Sequence, residues 1–167
     1  MKMIVKYIRK VVRHKWFVFV EACKLGVPWL GITHDMSKFR LREMLPYAKY
    51  FNGEYLSAVM VMEYPGYKGP VQETVDAAFD VAWNEHQKCN RHHWQYWLLV
   101  NDNSEPQVKT LPMPEKYVRE MVADWIGAGK AYGNTDTLGW YKENKDKQVM
   151  HTATRSRVEE LIGYEES

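Results

Sequence analysis

The stretch Thr33-His34-Asp35-Met36-Ser37-Lys38-Phe39 sets an imidazole beside a carboxylate, with an ammonium a few residues further on. Neutral imidazole nitrogen and carboxylate oxygen suit a borderline divalent cation, so His34 and Asp35 read as half of a site for Zn, Mn, Fe, Co or Ni. Two ligands do not complete it. The other half must come from elsewhere in the chain, and the candidates are His14, His86, His92, His93 and Asp124. Such a donor set around one or two ions activates water at neutral pH and neutralises charge that builds on a phosphoryl oxygen. Asp35 can ligate with one oxygen and accept a hydrogen bond from attacking water with the other. Lys38 can act as a point charge on the phosphate. Lys130, beside Gly129, could do the same, although a solvated lysine is the plainer reading. His86 suits a second ion or the support of a ligand, and Asn90, one turn on, suits a substrate contact.

These residues act together only if the fold gathers them. From Met3 to Leu25 apolar residues recur at helical spacing, and Gly26 with Pro28 makes a stop. Tyr7, Val11, His14, Val18 and Leu25 share a stripe, so His14 is either a satisfied core histidine or a ligand. Pro28 opens a short helix, Trp29 to Asp35. Ser37 caps a segment from Lys38 to Phe51, which Pro46 is expected to split or kink. Glu54 to Met62 makes another short helix, and Tyr64 to Pro70 a loop rich in Pro and Gly. In the helix from Val71 to about Asn90, the stripe Val75, Ala78, Phe79, Ala82, Trp83 continues into His86, Asn90 and His93. An apolar face that ends in imidazoles is what a pocket at the end of a helix bundle produces.

Trp97 to Val100 and Gln107 to Leu111 flank a turn-rich stretch and predict a small β-hairpin near 97–111. Pro114 opens a helix from Glu115 to Ala128, on which Tyr117, Met121, Asp124 and Ala128 share one face. An unpaired carboxylate among apolar neighbours is costly, so Asp124 needs a metal or an arginine such as Arg91 or Arg119. The doublet His92-His93 could equally be a helix end with one ring capping and one solvated. Gly129 onward reads as a loop, a polar helix near Thr137 to Lys145 and a last helix from about Thr154 to Ile162. The expectation is an all-α bundle, one domain over residues 1–167.

Composition narrows the class. With 46% apolar and 26% charged residues the chain can bury a core without disulfides. A net charge of +2 is too small to argue for a nucleic-acid binder by itself. Cys23 and Cys89 stand in no metal-type spacing and read as reduced cysteines of a cytoplasmic protein. No apolar run reaches the roughly 18 residues of a membrane span. Lys2, Lys6, Arg9, Lys10 and Arg13 precede the apolar run Trp16 to Val20, which is too short for a targeting signal and lacks a small-residue cleavage site. A solvated basic face explains that helix better than a membrane surface or nucleic acid does. A homo-oligomer is left open.

The order His14, His34-Asp35, His92-His93, Asp124 resembles the HD-domain superfamily of metal-dependent phosphohydrolases. More closely, HDMSKF at His34 to Phe39, AWNEHQKCNRHHWQYW at Ala82 to Trp97, MPEKYVREMVADW at Met113 to Trp125 and the late His151 and Thr154 resemble a family of small uncharacterised phage and bacterial proteins. The superfamily resemblance implies an HD-like helical fold in which His14 is the first helix ligand, His34 and Asp35 the signature pair, and Asp124 the late carboxylate ligand. His92 and His93 are similar to paired histidines that hold a further metal. Lys38 matches the lysine of the His-Asp-x-x-Lys form, which contacts substrate phosphate; nucleotidase-type members have a glutamate there.

The reading is a metal-dependent phosphohydrolase acting on a small phosphate ester, a nucleotide first among them. Trp83, Trp94, Tyr96, Trp97 and Trp125 suit stacking on a base, though core packing explains rings at helical spacing equally well. The competing reading is a non-catalytic metal-binding module serving structure or a partner protein.

Overall fold

The computed structural model describes residues 2–52, 71–102 and 105–165. Among them the fold is mostly helical, with α1 (Lys2–Lys24), α2 (Pro28–Thr33), α3 (Leu41–Asn52), α4 (Val71–Cys89), α5 (Glu115–Tyr132), α6 (Thr137–Asn144) and α7 (Thr152–Ile162). Strands β1 (Leu98–Val100) and β2 (Val108–Thr110) form an antiparallel ribbon with Leu98 opposite Thr110. The all-α expectation and the hairpin both hold. The expected helix Glu54 to Met62 and loop Tyr64 to Pro70 lie outside the described residues. No helix among the described residues is long and apolar enough to cross a membrane. The chain divides into two compact units, Met1–Val12 with Met36–His86, and Arg13–Asp35 with Gln87–Ser167.

In the first unit, Tyr7 and Val11 from the start of α1 are buried with Tyr47 and Ala48 of α3 and Ala82 of α4. Phe79 sits edge-on to Tyr47, with ring centroids 5.0 Å apart, and stacks on Tyr50 at 4.0 Å. Pro46, expected to split or kink this segment, lies inside α3, which runs without a break from Leu41 to Asn52. Its missing N–H removes a single intrahelical bond, the one that would reach the Arg42 carbonyl in the first turn.

In the second unit, α1 stops at Gly26, whose φ of 75° lets the Val27 amide reach the Ala22 carbonyl at 2.8 Å. Pro28 then opens α2. Two glycines allow close helix packing. A Cβ on Gly31 would lie 2.7 Å from the Ala22 side chain, and one on Gly127 of α5 would lie 2.7 Å from the Val18 nitrogen. Val18, Ala22 and Ala123 are buried together at this seam. Met113, Val118, Met121, Val122, Tyr141 and Val158 form the larger core around α5, α6 and α7. Helix α5 runs past Gly129, where the sequence suggested a loop, and ends at Gly133, whose φ of 89° is left-handed.

Candidate metal centre

Three helices of the second unit bring the site together. Helix α1 contributes His14 from its buried stripe, as the periodicity predicts. Helix α2 ends at Thr33, and the Lys15 ammonium holds its end by donating to the carbonyls of Ile32, at 3.3 Å, and His34. Asp35 then takes a φ of 53°, in the left-handed region that few residues other than glycine adopt and that aspartate tolerates better than most. This turn leaves Asp35 Oδ2 3.4 Å from His34 Nε2 and 3.8 Å from His14 Nε2. Helix α5 supplies Asp124, whose Oδ1 is 3.1 Å from His14 Nε2 and 3.3 Å from His34 Nε2. From the turn after α4, His92 Nε2 lies 3.4 Å from Asp35 Oδ1 and 3.9 Å from Asp124 Oδ2.

Four of these six spacings, 3.1 to 3.4 Å, are those of ligands around a cation. Donor atoms about 2.1 Å from a common ion stand roughly 3.0 to 3.4 Å apart at octahedral or tetrahedral angles. Three sets of three fall within 4.8 Å of one another inside this unit: His14 with His34 and Asp35, His34 with His92 and Asp124, and Asp35 with His92 and His93. Both ring nitrogens of His14 and Nε2 of His34 are buried without an aligned hydrogen bond, although carboxylate oxygens lie close by. Imidazoles that converge on the same oxygens without aligned N–H bonds leave room for a shared ion between them. The buried His and Asp side chains can therefore hold a metal.

Glu120, which the sequence reading did not single out, completes the arrangement. It is buried one turn before Asp124, with Oε1 3.2 Å from His34 Nδ1 and 3.4 Å from His92 Nδ1. A carboxylate on the Nδ1 side of both rings fixes the tautomer that leaves Nε2 as the electron-pair donor toward the centre. The signal was in the sequence, because Tyr117, Glu120 and Asp124 follow helical spacing as well as Tyr117, Met121 and Asp124 do.

Without a cation, the carboxylates of the centre favour protonated imidazole and the imidazoles favour ionised carboxylate. Burial disfavours charge on His34, but the carboxylates of Asp35 and Asp124 outweigh it and raise the pKa well above the usual imidazole range. Burial likewise opposes ionisation of Asp124, and the His34 and His14 rings overcome it, holding the carboxyl well below its ordinary value. Glu120 is lowered too, its burial outweighed by His34 and His92.

Of the remaining candidates, His93 stands beside this centre, offering a ligand atom within 4.8 Å of those of Asp35 and His92. The His93 ring packs 4.2 Å from that of His92. The Asn90 carbonyl accepts the His93 amide at 3.1 Å. Lys130 is on helix α5, not in a loop, and its ammonium is 2.6 Å from Glu21. Neither arginine proposed for Asp124 is committed to it: Arg91 donates to the Tyr117 hydroxyl at 3.1 Å, and Arg119 to Glu115 at 2.6 Å and the Leu25 carbonyl at 2.9 Å. In the first unit, His86 is fully buried, stacked on Trp83, with Nδ1 2.5 Å from Glu43 and 3.2 Å from the Ser37 hydroxyl. Lys38 belongs to that unit as well, and its carbonyl accepts the Tyr7 hydroxyl at 3.2 Å.

No curated protein and no solved structure matches the chain. Residues 3–164, nearly its whole length, match DUF5662, described as a family of unknown function, and the chain belongs to that family.

Proposed function

We infer that this protein is a metal-dependent hydrolase of small phosphate esters, with nucleotides the first substrates to examine. The observation that carries the reading is the convergence of His14, His34, Asp35 and Asp124, from three helices, in the chain order of HD-domain phosphohydrolases. A divalent cation held there would act as a Lewis acid toward water and a phosphoryl oxygen. The chain's own residues supply the rest. Asp35 turns Oδ2 toward His14 and His34 and Oδ1 toward His92, so one oxygen can ligate while the other takes a proton from water. Glu120 holds two imidazoles in their ligating tautomer. Lys38, placed by the His-Asp-x-x-Lys spacing, is the phosphate contact this reading names.

The deep burial of His34, Asp35 and His92 favours a second reading, a metal kept for structure alone. Asp124, with a side chain 15% exposed, is the more open edge. The two readings part in one experiment: phosphate release from nucleotides and simple phosphate monoesters, with the copurifying metal supplied. Turnover that Lys38→Ala abolishes while the metal stays bound supports hydrolysis. Full metal loading with no release from any ester supports the structural role.

A further inference from the structure

One cleft in the second unit is not used by the metal chemistry. It has a volume of about 240 Å³ and lies along the last turns of α5 and the start of α6, with Trp125, Tyr132 and Trp140 among its walls. Sites that enclose drug-sized ligands run roughly 300 to 1,000 Å³, so this one takes a single small group.

Its shape comes from the sequence. Gly129 takes the amides of both Gly133 and Asn134 on its carbonyl at 2.9 Å, folding the chain back on the helix. A Cβ on residue 129 would meet the Asn134 oxygen at 2.2 Å, so the fold-back needs glycine. The indoles of Trp125 and Trp140 meet at 5.2 Å between centroids and 58° between planes. Tyr132, 68% exposed, is nearly parallel to the His14 ring, 12° off at 6.3 Å, so its ring reaches from the metal centre to the cleft.

The cleft's charge is one-sided. Asp136 is the only charged residue among the described residues that line it, and its Oδ1 is fixed by the Gly139 amide at 2.7 Å. Lys130, the nearest basic residue along α5, is turned to Glu21 at 2.6 Å. Indoles set at 58° form a corner and not a slot, so a flat ring could lie against only one of them. A rounded cation can touch both faces, and aromatic faces attract cations through their quadrupole.

We propose that this cleft binds an organic ammonium group, a quaternary or N-methylated amine, seated between Trp125, Tyr132 and Trp140 with Asp136 as its counter-charge. Its chemistry holds whether or not the metal centre is hydrolytic.

The test is a titration of the full-length protein with choline, followed by the indole N–H resonances of Trp125 and Trp140. Choline and tetramethylammonium should shift both saturably in roughly the millimolar range. The neutral isostere 3,3-dimethylbutan-1-ol should not. Asp136→Asn, which keeps a competent helix cap, should weaken choline several-fold, and Trp140→Leu by roughly tenfold or more. Equal binding of the neutral isostere, saturation by adenosine and not by choline, or no saturable shift with either cation would overturn the proposal.

Discussion

The Glu120 carboxylate lies 3.2 Å from Nδ1 of His34, on the opposite edge of the ring from the Asp124 oxygen 3.3 Å from Nε2. The two acids stand one turn apart on α5, and the imidazole between them is held by one and directed at the other's centre. Glu120 would therefore act on a bound metal through His34 and His92 without touching it. Glu120→Gln keeps the volume and one hydrogen-bond acceptor but removes the charge. It should lower metal affinity about 10- to 100-fold while the protein stays folded, as read by competition with a chelator. An unchanged affinity would mean that the tautomer is set by something other than this carboxylate.

Metal binding should release protons at neutral pH. Without a cation, His34 keeps its proton well above the ordinary imidazole range because Asp35 and Asp124 outweigh its burial. A ligating imidazole must be neutral, so the ion displaces that proton. Calorimetric titrations at pH 7.5 in buffers of different ionisation enthalpy should give binding enthalpies that differ in proportion to it. Identical enthalpies across buffers would contradict a protonated His34.

The same shift predicts how stability depends on pH in the metal-free protein. A group with a raised folded-state pKa contributes stability that is complete below its unfolded value, about 6.5, and is lost as pH rises through the folded value. Metal-free protein should thus lose thermal stability as the pH rises from neutral into the alkaline range. Metal-loaded protein, in which His34 is already neutral, should not show that loss. Thermal melts of both forms from pH 6 to 10 decide it.

Helix spacing at Gly127 is a precondition for the site, since α1 carries His14 and α5 carries Asp124. A methyl on residue 127 would lie 2.7 Å from the Val18 nitrogen and 2.8 Å from its Cα, against backbone that cannot swing aside. Gly127→Ala should cost roughly 1–3 kcal/mol and lower Tm by several degrees. Metal affinity should fall with it, because the two helices must separate. A variant with wild-type Tm would show that the seam is looser than its contacts suggest.

Much of this site was legible before any fold was known, and the reasons differ by residue. His14 and Asp124 stood out because each interrupts an apolar stripe at helical period, and a buried ionisable group needs a partner. His34 and Asp35 stood out by adjacency, but the left-handed φ of Asp35 that turns one toward the other has no local sign such as glycine. Glu120 went unread although it shares helical spacing with Tyr117 and Asp124, because a glutamate beside an arginine looks like solvated surface. Gly129 misled in the opposite direction. It reads as a helix stop, yet it serves a close approach to Asn134 within the helix, and Gly133 ends α5. The histidine stripe of α4 correctly marked His86 as buried, whereas its carboxylate partner Glu43 lies on another helix and could not be paired with it from periodicity.

The central claim is that His14, His34, Asp35 and Asp124 share a cation. Elemental analysis of protein purified without a histidine tag tests it most directly, alongside the variant His34→Ala. The account predicts at least one equivalent of a first-row divalent metal per chain, retained through gel filtration and lost in the variant. Protein that carries no metal and takes up none of Zn, Mn, Fe, Co or Ni when each is supplied would contradict it.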